Sequence, residues 1–166
     1  IAYQTLLEVS REVQAEGWSF NKEFHYDMTP DSNNEILIAN NILQIDAAKN
    51  AANSHMDVIR RSGKLYDKAN HTYTFTKKVS CDITWLFDWI DLPTPIADFI
   101  TTKAAVIVQS RIVGDQSQYQ MLQQREQSAR AVAMEYECNQ GDYTFFGHPG
   151  ETNNYNSYKP YNALYR

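Results

Sequence analysis

Two cysteines among 166 residues, Cys81 and Cys138, are too few for a disulfide framework, and they do not form a Cys-x-x-Cys pair. Both are expected as free, mostly buried thiols. None of the four histidines, His25, His55, His71 and His148, has a second ligand at metal spacing, so no metal site is expected. Only six glycines occur, none in a phosphate-cradling loop, and no serine sits in a Gly-x-Ser-x-Gly elbow. No apolar run is long enough to span a bilayer and no secretory segment is visible, which points to a reducing cytosolic origin and no membrane partner. Basic charge is also short. Fifteen Lys and Arg face twenty Asp and Glu, a net −5, which argues against a chain held on nucleic acid by phosphate neutralisation. Repulsion can still serve a surface that DNA must pass without sticking.

What is present begins with length and an apolar fraction of 43 %, enough for one domain with a core. Residues 1–16 place Leu6, Val9 and Val13 on one helical stripe, and Gly17 stands where a left-handed stop is usual. The chain starts without Met and already in helical pattern, so further residues are expected upstream. EGWSFNKEFHYDMTP follows. Apart from Lys22, its even positions Trp18, Phe20, Phe24, Tyr26 and Met28 are apolar and its odd ones polar, the signature of a half-buried strand with His25 facing solvent or a contact. Short strands are expected at Ile36–Ile38 and Ile42–Ile45, a loop over Ala47–His55, and a hairpin turning at Ser62-Gly63. A further turn at Lys68–Asn70 leads to Tyr73–Phe75, and Ile83–Ile90 reads as a buried strand or as a strand-to-helix entry.

Residues 94–113 carry the strongest helical pattern, with Thr94 as cap, Pro95 in first position and Ile96, Phe99, Ile100, Ala104, Ile107, Val108 and Arg111 recurring at helical spacing. Gly114 stops it, and Asp115 can cap a second helix to about Cys138, with Tyr119, Leu122, Ala129, Val132 and Tyr136 on one face and Arg125, Glu126, Arg130 and Glu135 off it. So short a loop makes the pair a hairpin. The expected fold is therefore α+β: an antiparallel helical bundle (hairpin 94–138 plus the N-terminal helix) with a small antiparallel β region at about 18–86. Residues 1–141 form that domain.

Residues 142–166 are different, an extended aromatic arm without helical or strand period. Tyr143, Phe145, Phe146, Tyr155, Tyr158, Tyr161 and Tyr165 are costly to leave in water, whereas a disordered linker lacks such anchors. Phe145, Phe146, Tyr155, Tyr158, Tyr161 and Tyr165 are the candidate subunit-interface residues, set into another subunit or folded back on their own. Catalysis has weaker candidates. Glu12 and Glu16 share a helix face, as Glu135 and Glu137 are close in sequence, and paired acids are what glycoside hydrolysis needs. Helix surfaces carry such pairs routinely. Arg60-Arg61 and Lys77-Lys78 read as hairpin flanks or edge guards.

The order of segments resembles tail tubular protein A, the head-to-tail adaptor or gatekeeper of short-tailed phages of the autographivirus type. The similarity runs over LLEVSREVQAEGWSFN, then RRSGKLYDKANHTYTF with Leu65, Tyr66 and Asp67. It continues over WIDLPTPIADFITTKAAVIVQSRIVGD with Pro93, Ile100, Ala104, Arg111, Gly114 and Asp115. It ends in REQSARAVAMEYECNQGDYTFFG with Ala129, Arg130, Glu135, Gly141 and Asp142, covering residues 5–147. The 148–166 stretch has no counterpart. The resemblance implies a virion protein assembled in the host cytoplasm as a dodecameric ring. That ring would lie between the portal and the nozzle (tail tubular protein B), near the tail fibre, with DNA passing through its lumen without specific binding. It implies no enzyme activity, no cofactor and no catalytic residue. Twelve subunits of −5 would carry about −60 in all, repelling phosphate from the lumen. Gly17, Trp18 and Phe20 would then fix the angle between helical and β layers. The alternatives are a tail-associated peptidoglycan hydrolase using Glu12 or Glu16, and a monomeric host-interaction domain.

Overall fold

The computed structural model describes residues 1–48 and 56–141. Helix α1 (Ala2–Ala15) buries Thr5, Val9 and Val13 on one side, with Leu6 partly covered, as its stripe requires. It is followed by β1 (Lys22–Met28), β2 (Ile42–Ala47), the hairpin β3 (Val58–Arg61) and β4 (Lys64–Asp67), and β5 (Val79–Trp85). A 3₁₀ turn at Trp89–Asp91 leads into α2 (Thr94–Ile112) and α3 (Gln116–Gly141). The expected α+β architecture is present.

Strand β5 is central in an antiparallel sheet of order β1-β5-β2. The β3–β4 hairpin covers this sheet, and Ile36, Val58, Leu65, Phe75, Val79, Cys81 and Ile83 close a first core between them. A second core lies in the helices, where Val9, Val13, Trp18, Ile96, Phe99, Ile100 and Ala133 meet. Helix α1 runs antiparallel to α2: Lys103 pairs with Glu12 at 3.0 Å, and Arg111, later in α2, reaches back to Thr5 at 3.3 Å. At the turn between α2 and α3, Gly114 has φ +70° and the Asp115 side chain accepts from Ser117 N at 2.8 Å, the cap its position suggested.

Several expectations need correction. Strand β1 is not half-buried: six of its seven residues are exposed, Phe24 and Tyr26 at 47 % and 43 %, and only Met28 is covered. The register slips between Glu23 and Tyr26, and His25 takes φ +57° with its N–H on Asp82 Oδ1 at 3.0 Å. This bulge breaks the alternation that the sequence keeps intact. Trp18 and Phe20 precede the strand in a turn. Ile36–Ile38 makes single bridges, Glu35 with Thr74 and Leu37 with Lys64, in place of a strand. Of the two readings of Ile83–Ile90, the strand-to-helix entry is the one present: the stretch is extended to Trp85 and then turns toward α2. Thr94 does not cap α2. The carbonyl of Pro93 receives the first helical N–H groups, from Ile96 and Ala97 at 3.0 Å each, so Thr94 is already helical.

Helix α3 runs to Gly141, past Cys138, and buries Ala133, Glu137 and Gly141, while Val132 is 52 % exposed and Glu126 is half-covered. A helix polar nearly all round leaves the phase of its inner face to its neighbours. Cys81 is buried as expected, but Cys138 is exposed. The 49–55 part of the expected loop and the whole 142–166 arm lie outside the described residues, including Tyr143, Phe145, Phe146, His148, Tyr155, Tyr158, Tyr161 and Tyr165.

Candidate assembly surfaces

The helical and β layers meet at the end of α1, and the meeting is built from polar atoms. Gly17 turns the chain at φ +77°. Trp18, 3 % exposed, folds back so that its indole N–H donates to the Val13 carbonyl at 2.7 Å, keeping the ring in the helical core. Asn21 is 1 % exposed and spends every polar atom. Its Oδ1 accepts from Trp18 N at 2.8 Å, and its Nδ2 donates to the carbonyls of Gln14 and Trp85, both at 2.8 Å. One amide thus joins α1, the corner and the end of β5.

Gln14 extends the same network. Fully buried, it donates to Ser10 Oγ and to the Phe87 carbonyl, both at 3.1 Å, and its Oε1 accepts the Phe87 N–H at 2.8 Å. Phe20 is half-buried, its ring 6.2 Å from that of Phe87. From the other side comes Glu137, 7 % exposed, whose carboxylate accepts Ser19 N and Ser19 Oγ at 2.9 Å. Pro95 and Val132 line one cleft, so the residues of α3 after Val132 run beyond the start of α2 to reach the corner. Buried polar groups that are all paired hold one arrangement of their neighbours. The corner residues Gly17, Trp18 and Phe20 are therefore brought together, but Gln14, Asn21 and Glu137 do the joining. Gln14 had a signal, as a polar residue beside an apolar stripe; Asn21 and Glu137 look like surface residues in the sequence.

The candidate acids are engaged otherwise. Glu12 pairs with Lys103 at 3.0 Å and Glu16 with Arg130 at 3.6 Å, tying α1 to α2 and α3. Among the described residues no group of His, Cys, Asp and Glu is placed to hold a metal ion. A cleft of about 490 Å³ between the sheet and β3 is lined by Lys22, Glu23, Asp46, Asp57, Lys68 and Asp82, and there Lys68 already pairs with Asp57 at 2.7 Å. At the end of β4, burial works against the Asp67 carboxylate. The Asn70 side chain and the N–H groups of Ala69, Asn70 and Asp57 outweigh that and hold its pKa below the ordinary value. Burial pushes the Cys81 thiol up to about 12, so it is no nucleophile near neutral pH.

Besides Phe24, Tyr26, Leu37 and, on α3, Met121, Val132 and Met134, apolar side chains stand on the outside in three further places among the described residues. Ile1, Tyr3 and Leu7 do so on α1, Ile112 and Val113 at the end of α2, and Trp89 and Ile90 on the 3₁₀ turn. Among the described residues no helix is long and apolar enough to cross a membrane. No curated protein matches the chain. A family model described as tail tubular protein matches residues 1–143.

Proposed function

We propose a ring-forming adaptor role for this chain, which belongs to the tail tubular protein family. That family is a structural component of the phage tail. Within it, the finer reading is a connector joining the portal above to the nozzle below, lining part of the DNA ejection channel, with the tail fibre nearby. It works by holding shape, with no bond-making step.

The observation that carries this reading is the braced corner. An adaptor must keep two docking layers at a fixed angle while DNA passes under pressure. Here Gln14, Asn21 and Glu137, all buried side chains, lock a three-helix layer to a sheet layer through hydrogen bonds of 2.8 to 3.1 Å. The net −5 of each subunit suits a lumen that DNA crosses without binding. In this reading the aromatic residues Phe145, Phe146, Tyr155, Tyr158, Tyr161 and Tyr165 latch neighbouring subunits. Such a head-to-tail contact must close into a ring.

The test is co-assembly. Purified full-length protein mixed with portal should give rings stacked on the portal, seen by electron microscopy with class averaging. Trp18→Ala, which removes the indole that pins the corner, should lower the yield of such rings. Protein that remains monomeric in the presence of portal would refute the adaptor reading. Rings of Trp18→Ala with unchanged yield and thermal stability would refute the role given to the corner.

A further inference from the structure

The 3₁₀ turn after β5 is held firmly and displays what a fold would normally hide. Leu86 N donates to the Asn41 carbonyl at 2.6 Å, Phe87 is fixed by Gln14, and Asp91 N closes the turn on the Asp88 carbonyl at 3.0 Å. On this base Trp89 is 47 % and Ile90 88 % exposed. Exposed Asp88 and Asp91 bracket them, and neither is in an ion pair among the described residues. A braced turn that presents an isoleucine to water contributes nothing to its own core.

Charge is divided along the chain. Residues 80–93 hold three aspartates and no Lys or Arg, whereas residues 56–79 hold six Lys and Arg against two aspartates, a net +4 in a protein of −5. The register places Leu37, Lys64 and Arg61 in one row across the hairpin, and Tyr66, two residues from Lys64, lies on the same outward face. Leu37 is 63 % exposed. The Arg61 guanidinium stacks 4.2 Å over the Tyr66 ring, which in turn lies 4.7 Å from Tyr73. The hairpin face is thus apolar and aromatic, with a basic margin made by Arg61 and by Lys64, whose ammonium also pairs with Glu35 of its own chain at 2.6 Å, and the turn is apolar with an acidic margin. Among the described residues no hydrogen bond or ion pair joins the two.

From this complementarity we infer that the Trp89–Ile90 turn of one copy seats on the Leu37–Arg61–Tyr66 face of the next. Asp88 and Asp91 then face Arg61 and Lys64. The inference rests on the ring-forming reading and specifies one of its contacts. The contact is heterologous: each copy offers the turn to one neighbour and the hairpin to the other. Trp and Arg are the residue types that carry most binding energy in such contacts.

Charge reversal tests it. Asp88→Lys with Asp91→Lys, and separately Arg61→Glu with Lys64→Glu, should each raise the protein concentration needed for assembly at least about tenfold, since like charges then face across the contact. Glu35→Gln added to the hairpin variant removes the like-charge pair that Lys64→Glu makes within its own chain and should leave the tenfold effect in place. Mixing the two variants should restore alternating rings, and one chain carrying all four changes should assemble alone. Ile90→Ser, on an exposed side chain outside the core, should weaken assembly with an unchanged thermal melt. Sedimentation velocity reads the assembly, and circular dichroism on heating reads the melt. Wild-type rings together with unaffected reversals, or reversals that no mixing rescues, overturn this contact and leave the adaptor reading standing. A wild type that forms no ring even with portal overturns the reading and the contact together.

Discussion

Replacing Asn21 should show how much the corner depends on one amide. Asn21→Ala removes three hydrogen bonds, to Trp18 N, the Gln14 carbonyl and the Trp85 carbonyl, each at 2.8 Å. At about 1 kcal/mol per bond the direct loss is about 3 kcal/mol, and a stranded buried Trp18 N–H raises it toward about 4 kcal/mol. For a chain of this length that is a fall in Tm of about 6–16 °C. Asn21→Asp is the sharper variant because it keeps the shape. Its Oδ1 still accepts from Trp18 N, but the other oxygen now faces two carbonyl oxygens where an NH₂ donated to both. At pH 7 it should therefore destabilise at least as much as Asn21→Ala. Near pH 4 the variant should recover part of the loss, because a protonated carboxyl can again donate to one carbonyl. Urea unfolding of the isolated subunit at both pH values measures this. An Asn21→Ala change within about 0.5 kcal/mol, the range of an ordinary surface substitution, would refute the bracing argument.

Gly17→Ala should cost about 1–2 kcal/mol by forcing an L residue to φ +77°, with the Lys22 side chain swinging aside; a melt unchanged within error would contradict the left-handed stop. Native protein should label at Cys138 and not at Cys81 with a maleimide, one thiol per chain, and two would show that the sheet core opens readily. Asp67, with its pKa lowered on folding, adds stability above its unfolded value of 3.8 that disappears as the pH falls through the folded value. Asp67→Asn should flatten the acid limb of the unfolding curve by that amount. Glu12→Gln breaks an exposed pair with Lys103 and should cost under about 1 kcal/mol. A zymogram band present in wild type and lost in Glu12→Gln would show the protein to be a hydrolase.

The sequence made some elements plain and concealed others for physical reasons. Helix α1, the β3–β4 hairpin and the α2–α3 pair are local: Val9 and Val13, Ser62-Gly63 and Gly114-Asp115 each mark their own geometry. The phase of α3 is not local. Val132 is the more apolar residue, yet Ala133 faces inward, because close approach to α2 favours the smaller side chain. Strand β1 misleads for a related reason, since its bulge depends on Asp82 of a strand far along the chain receiving the His25 N–H. Gly17 and Trp18 announce a corner, but the atoms that secure it belong to Gln14, Asn21 and Glu137. Amide and carboxylate side chains look solvated until tertiary structure closes over them. The interface residues assigned to the 142–166 arm fall outside the described residues and stay at the level of the sequence argument.

One consequence of the α3 geometry is mechanical. At 26 residues the helix is about 39 Å long, and it is gripped at both ends, by the Gly114 turn and by the Ser19–Glu137 bonds. A stiff rod held in this way is a lever. A neighbour pressing near Met121 would apply torque at one end, and Glu137 would deliver it to Ser19, in the turn that leads into β1. Tilting the helical layer must then swing the sheet as well, so strain entering at either rim of a ring would travel through every subunit without waiting for any loop to rearrange.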